Sequence, residues 1–509
     1  MNKYIKAIVF IAILGFTSCT DDFLTNYPTA SQESGGTATE GAILSNLASC
    51  YQILLFDSYA NNNYNSIVLM SDLRSDDIFK GGGDAGDQGQ LYRLSQLDAT
   101  PDELPEGLWT IYYNGLARCN NAISACENAV GVDEDALAQY NAEAHFLRAY
   151  YMHWLWKFWG NIPYFEEDLE SPYFARQYTA DEIYAEIIED VDFALEGDKL
   201  PMVASGADEG RATKAAAMLL KARVVMYQND ESKYAEVLAD MNEIYESGAY
   251  SLVDFASIWT REGEFGNESI FEANHLPGEY GGKTWASGWS GFGTNLPAFI
   301  SPNELSGADQ LSGLSVYKGG WGFGPVRPDV VDIYEDGDER LSASINHFAD
   351  GTYTARFQNT GYFMAKYAAR TGYNEPPGDV DLNYENNLRI FRYAEVLLNA
   401  AELIVVHGVA PVGQLTAEVA IQEIRERAGL DTAAPTVELV KLERRREFVG
   451  EGMRFWDLVR WDEASVLTEN LPDYSSNRTW EPYKKYLPIP QSEIDKTEGE
   501  FKLVQNDGY

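Results

Sequence analysis

Glu443-Arg444-Arg445-Arg446-Glu447-Phe448-Val449-Gly450-Glu451-Gly452-Met453-Arg454-Phe455-Trp456-Asp457-Leu458-Val459-Arg460-Trp461 reads as the end of one helix, a break, and the start of another. A helical pattern runs into it from about Val437. Glu443 and Glu447 stand four apart, each within a turn of an arginine, which favours helix modestly. Gly450 and Gly452 stop that helix, because glycine adopts left-handed turn conformations cheaply. A second short helix then places Phe455, Leu458 and Val459 on one face with Trp456 beside them, and Arg454 and Asp457 three apart. So many rings and opposite charges in so short a run predict a buried corner stapled by ion pairs, not a catalytic centre.

Working outward, Leu388 to His407 is strongly helical, and Gln414 to Ala428 and Val437 to Val449 complete a helical lobe. Near the start, Ile43, Leu44, Leu47, Cys50, Tyr51 and Leu54 recur at helical spacings. Further helices are expected over Trp109 to Ala129, Ala138 to Trp159, Ala180 to Leu195, Thr213 to Gln228 and Ser232 to Glu246. Alanine-rich contacts such as Thr213-Lys214-Ala215-Ala216-Ala217 make these resemble tetratricopeptide helix pairs, without a regular period. Asn61 to Asn65 interrupts the first pattern, and Lys80 to Gly89, with five glycines and two aspartates, is a loop. Between Phe265 and Phe363 helical periodicity disappears and glycine, proline, asparagine and aromatics dominate. The expected layout is a mainly α domain over 40–509. Its helical scaffold covers about 40–260 and 388–465, around a loop-rich lobe at about 265–387.

Residues 1–18 read as a lipoprotein signal peptide. Lys3 and Lys6 precede an apolar run, Ala7 to Phe16, too short to span a bilayer. Thr17-Ser18-Cys19 follows, resembling a lipoprotein cleavage site with Cys19 as the lipidated residue. Residues 19–39 are then a tether, and no later segment is long and apolar enough for a transmembrane helix. With 38 basic against 79 acidic residues the chain carries a formal charge of −41. Such a surface repels nucleic acid and anionic headgroups and disfavours a polyanionic ligand. Cys50, Cys119 and Cys126 remain beyond the anchor. Cys119 and Cys126 lie seven apart on a helix, roughly 10 Å, too far for a disulfide.

Residues that would carry chemistry are scattered. The five histidines form no HExxH, and no cysteine or histidine spacing suggests zinc. Gly288-Trp289-Ser290-Gly291 lacks the spacing of a nucleophile elbow. Gly320-Trp321-Gly322-Phe323-Gly324 lacks the lysine and helix start of a phosphate loop. No cofactor or metal is implied.

The 443–461 stretch resembles the C-terminal signature of the SusD/RagB family, surface lipoproteins that bind nutrients for an outer-membrane transporter. Ala144-His145-Phe146-Leu147-Arg148-Ala149-Tyr150-Tyr151 through Phe158-Trp159-Gly160-Asn161-Ile162-Pro163 resembles a second family pattern. Arg392-Tyr393-Ala394-Glu395 through Glu402, and Tyr486-Leu487-Pro488-Ile489-Pro490 with Leu503 to Tyr509, are similar to two more. The resemblance implies a SusD-like fold, a lipid-anchored protein on the cell surface of the outer membrane, and a SusC-like TonB-dependent transporter as partner. It implies binding without catalysis, of a glycan or, as in RagB-like relatives, of a peptide.

The aromatic loops favour a glycan. Sugar rings present C–H faces that stack on indole and phenol rings, while their hydroxyls need carboxylate, amide and guanidinium partners. Trp289, Trp321, Trp285, Trp109 and Tyr280 are the expected stacking residues, with Asp76, Asp77, Arg74 and Asn114 as hydrogen-bonding candidates. A surface glycoside hydrolase is the alternative class. It needs a carboxylate pair that, among 79 acids, sequence does not single out.

Overall fold

The computed structural model describes residues 37–60, 63–167, 169, 171, 173–306 and 316–509. The expected signal peptide, Cys19 and most of the tether lie outside the described residues. The chain enters at Ala38, whose amide donates to Asn128 O at 2.8 Å. Among the described residues the scaffold is built by helices α1 (Glu40–Gln52), α2 (Gly107–Glu127), α3 (Glu134–Trp159), α4 (Ala180–Leu195), α5 (Lys214–Gln228), α6 (Tyr234–Ser247), α7 (Tyr393–Val405), α8 (Ala417–Arg427), α9 (Val437–Phe448) and α10 (Arg454–Arg460). Several of their starts are set by side chains that satisfy otherwise unpaired amides. Asp133 caps α3, Thr213 caps α5, Thr416 caps α8 and Thr436 caps α9, while Thr179 and Glu182 form a reciprocal box at α4. Helix α3 ends at Gly160 with φ +67, where a Cβ would lie 2.7 Å from the Tyr486 ring.

Consecutive helices pack on one another from α2 to α6, α1 lies against α2 and α3, and α7 joins α6, α8 and α9. Trp156, Trp159, Tyr112, Tyr150 and Tyr151 are fully enclosed in a core continuous from Ala38 to Leu503. Cys50, Cys119 and Cys126 are buried free thiols. Among the described residues no helix is long and apolar enough to cross a membrane.

A hairpin and a short sheet complete the frame. The hairpin falls where the helical pattern breaks: β1 (Tyr59–Ala60) pairs antiparallel with β2 (Asn63–Tyr64). Tyr59 stands opposite Tyr64, so both rings project from one face, 5.4 Å apart. The sheet corrects the helix expected from Leu388. Residues Leu388–Arg392 form β4, antiparallel to β3 (Ser269–Ala273), and α7 begins only at Tyr393. All five β4 residues are buried. A strand covered on both faces lacks the alternation that would mark it, so periodicity alone cannot separate it from a buried helix turn.

The 443–461 corner is stapled as its sequence predicts. Glu443 accepts from Arg425 at 2.6 Å, Arg340 at 2.7 Å and Arg446 at 2.9 Å. Glu447 accepts from Arg427 at 2.6 Å and Arg392 at 3.1 Å. Arg444 reaches Asp457 at 2.8 Å, and Arg460 pairs with Glu402 and Asp457. Burial alone would raise the Glu447 carboxyl, but Arg427, Arg392, Arg340 and Lys366 outweigh it and hold the group well below the usual carboxylate range. Gly450 and Gly452 turn the chain at φ +81 and +74.

Candidate ligand-binding site

Two glycine-rich loops and the hairpin build an aromatic platform. The Gly320–Gly324 loop is strapped to the short helix Leu296–Ile300: Trp321 N donates to Ala298 O at 2.7 Å and Phe323 N to Phe299 O at 2.9 Å. A Cβ at Gly320 would meet Ala298 O at 2.2 Å, so only glycine allows this approach. The strapping brings Trp321 onto Phe299, with ring centroids 4.9 Å apart, and Tyr64 packs edge-on to both. Trp285 lies alongside Trp321, centroids 5.9 Å apart and planes at 30°, with 41% of its surface exposed. Tyr59 meets the Trp285 ring edge-on at 5.4 Å and donates its hydroxyl to Trp285 O at 3.1 Å. Burial and the Asp379 carboxylate raise the Tyr59 phenol, keeping that donor protonated.

The Trp285 loop is held from inside by Lys283, which is fully buried. Its Nζ donates to Leu55 O at 2.9 Å, and its backbone is clamped by Asn383 at 2.7 and 2.8 Å. The neighbouring Asp379 accepts from Trp285 N at 2.8 Å. Burial pushes the Lys283 ammonium down to about 7, against the pull of Asp57, whose carboxyl burial pushes up to about 8. At the other rim, Arg356 Nη1 donates to Trp321 O at 2.8 Å and Nη2 lies 3.9 Å from Asp87.

Of the residues expected from sequence, Trp285 and Trp321 come together. Trp289 is half-buried in the same loop, edge-on to Phe56 at 5.5 Å, and Tyr280 is exposed where that loop begins. The others take different places. Trp109 is a core residue, packed edge-on to Trp159 at 5.2 Å. Arg74 is buried over Phe455, 3.9 Å from its centroid, and donates to Lys484 O at 2.6 Å. Asp76 accepts from Arg454 at 2.8 Å and Asp77 from Arg445 at 2.7 Å. Asn114 is half-buried and accepts from Arg118 at 3.3 Å. The polar run at 72–77 therefore directs Asp76 and Asp77 to the corner and Arg74 to Phe455 and the Lys484 carbonyl. Its arginine partners lie nearly the whole chain away, Arg445 being 368 positions from Asp77.

Tyr59, Tyr64, Asp379 and Arg356 were not reached from sequence. The alternation Tyr59-Ala60-Asn61-Asn62-Asn63-Tyr64 carries a hairpin signal that would have exposed the two tyrosines. No local signal marks Asp379 or Arg356. The assembled surface offers flat ring faces with a polar rim. Among the described residues no three His, Cys, Asp or Glu side chains gather as a metal site.

A helix-pair scaffold presenting a loop-built aromatic surface defines a class, that of the SusD-like proteins. Residues 343–509 match the SusD family, and residues 40–226 match a SusD-like family described as "Starch-binding associating with outer membrane". The chain belongs to the SusD family. It is similar to surface glycan-binding protein A from Bacteroides fluxus, at 60% identity and a TM-score of 0.88, covering 93% of this chain and 100% of that one. Surface glycan-binding protein A from Bacteroides thetaiotaomicron, solved in complex with laminarihexaose, is 37% identical with a TM-score of 0.84, over 92% and 100% of the two chains. A laminarin binding SusD-like protein is 27% identical with a TM-score of 0.80, over 93% and 100%.

Proposed function

We propose that this protein is a cell-surface glycan-binding lipoprotein that captures a neutral glucan of the laminarin type and passes it, unhydrolysed, to a SusC-like TonB-dependent transporter. The exposed indole of Trp285 beside Trp321 carries the reading. Two rings inclined at 30° suit successive sugars of a curving β-1,3-linked chain better than a straight one. Carboxylates of Asp379 and Asp87 and the Arg356 guanidinium at the rim, the groups that sugar hydroxyls need as partners, support the reading. Relatives of 37% and 27% identity that are described with laminarihexaose or laminarin support the same ligand class. Anchoring through lipidated Cys19 and delivery to a barrel are implied by family membership.

Calorimetry of the mature chain with laminarihexaose tests the reading. Saturable binding that is lost in Trp285→Ala is expected. Binding to a peptide library and not to glucans would overturn it in favour of peptide capture. Release of reducing sugar from a bound glucan would overturn the non-catalytic role.

A further inference from the structure

Beyond Trp321 the same surface continues into a second half-exposed aromatic pair. Arg356, which holds Trp321 O, is followed directly by Phe357, whose amide donates to Gly82 O at 3.1 Å. Phe357 meets Tyr92 edge-on at 5.9 Å, and both rings are partly open to solvent. Tyr92 Oη donates to Ser475 O at 2.8 Å, which turns its ring and fixes it.

The stretch between the two ring pairs is polar and densely hydrogen-bonded. Lys80, fully buried, threads under the glycine loop and donates Nζ to Asp84 O at 2.7 Å and to Asp87 O. Gln358 Oε1 accepts from Lys80 N at 2.9 Å and Gly81 N at 3.1 Å, while its Nε2 donates to Tyr474 O at 2.7 Å. Gly82 N reaches Gly322 O at 2.8 Å, and Gly324 N reaches Lys80 O at 3.0 Å. A Cβ on Gly81 would sit 2.3 Å from Gly322 O, so the two glycine loops are braided at a distance no other residue permits. Asp84 and Gln88 stand exposed on this braid, with Arg356 and Asp87 partly so. Hydrogen-bonding groups fixed before the ligand arrives lose little freedom on binding.

We propose that the glycan-binding surface is bipartite: the Trp285–Trp321 platform grips one stretch of the chain, and Phe357 with Tyr92, across the Arg356–Asp87 step, grips a later stretch of the same chain. This rests on the glucan reading above and adds to it a requirement for chain length. The second grip is intramolecular once the first is made, so it strengthens binding only of chains long enough to reach it. The ring pair has no bearing on a short oligosaccharide seated on the tryptophans.

The test compares laminaritriose with laminarin polysaccharide by calorimetry on the wild type, Phe357→Ala and Tyr92→Ala. The wild type is expected to bind the polysaccharide more tightly than the trisaccharide. Each variant is expected to lose roughly tenfold on the polysaccharide, the order for removing one stacked ring, and to keep wild-type affinity for the trisaccharide. Hydrogen exchange on the unmutated protein gives a second readout, with amides at 82–92 and 356–358 protected by the polysaccharide and not by the trisaccharide. Variants that bind both lengths like wild type, with no length-dependent protection, overturn the proposal and leave the platform reading intact. Equal loss on both lengths overturns it in favour of a purely structural ring pair. A wild type that binds neither glucan overturns the platform reading and this proposal together.

Discussion

The 443–461 corner and the aromatic platform put large side chains to opposite uses. In the corner, Glu443 and Glu447 are completely buried, and Arg340, Arg392, Arg425 and Arg427 are buried or nearly so around them. Burying a charge is costly, so every member must be matched by neighbours, and the match fixes how β4, α8 and α9 meet. The platform instead leaves large apolar rings open to water and holds them by backbone bonds through glycine. The corner's interactions are consumed within the fold. The platform keeps part of its contact surface uncovered, which is what a binding surface requires. Stability and affinity should therefore respond to different substitutions.

Removing Glu447 is the most forceful way to test that separation. Glu447→Ala takes one carboxylate from Arg392 and Arg427, which keep Glu268 and, for Arg392, Glu451, so a loss of about 3 kcal/mol in unfolding free energy, the low end for breaking a buried ion pair, is expected by denaturant titration. The surviving folded fraction should bind laminarihexaose with unchanged affinity, and a large drop in affinity would show that the two regions are coupled. Acid should attack the corner in the same sense. Glu402 and Glu447 have folded-state pKa values depressed below the ordinary 4.5 despite burial, held there by Arg460 and by Arg427 with Arg392. Their contribution is complete above that value and is lost as pH falls through it and below. Thermal melts between neutral pH and about pH 3 should show the midpoint falling steeply below the ordinary carboxylate value. A flat profile would mean that these carboxylates contribute little.

On the platform the expected effects reverse. Trp285→Ala should cost about 1–3 kcal/mol of glucan affinity by calorimetry. Its unfolding free energy should stay within about 0.5 kcal/mol of wild type, as for other exposed positions. Asp379→Ala, which removes the acceptor for the Trp285 amide and a rim carboxylate within reach of a sugar hydroxyl, should cost about 0.5–1.5 kcal/mol of affinity. If Asp379→Ala weakens binding more than Trp285→Ala does, the carboxylate contacts the ligand directly.

The same contrast explains what the sequence disclosed. Corner residues advertise themselves because glutamates and arginines at helical spacing, broken by two glycines, have few other uses. The scaffold helices were legible through apolar residues at helical spacing, as at Ile43, Leu47 and Cys50, all buried in α1. The β4 strand was hidden because Leu388-Arg389-Ile390-Phe391-Arg392 is buried on both faces and runs directly into α7. Trp285 and Trp321 could be picked out as aromatics in a glycine-rich region. Trp109 shares their side chain yet lies in the core, and only helix packing tells them apart. Arg74, Asp76 and Asp77 looked like a ligand-facing cluster because the counter-charges of the two aspartates, Arg445 and Arg454, are distant in sequence. Asp379 and Arg356 gave no sign, since their relevance depends on which loops meet.

Tyr59 and Trp285 touch across a separation of 226 residues, and this bears on the life of the chain. During synthesis the hairpin emerges long before the loop that completes its surface, and closing so large a span is among the slower events in folding. A chain that ends short of residue 285 therefore carries the two tyrosines without the indole that completes the platform. On the function proposed above, glycan capture is therefore withheld until the two ends of that span have met.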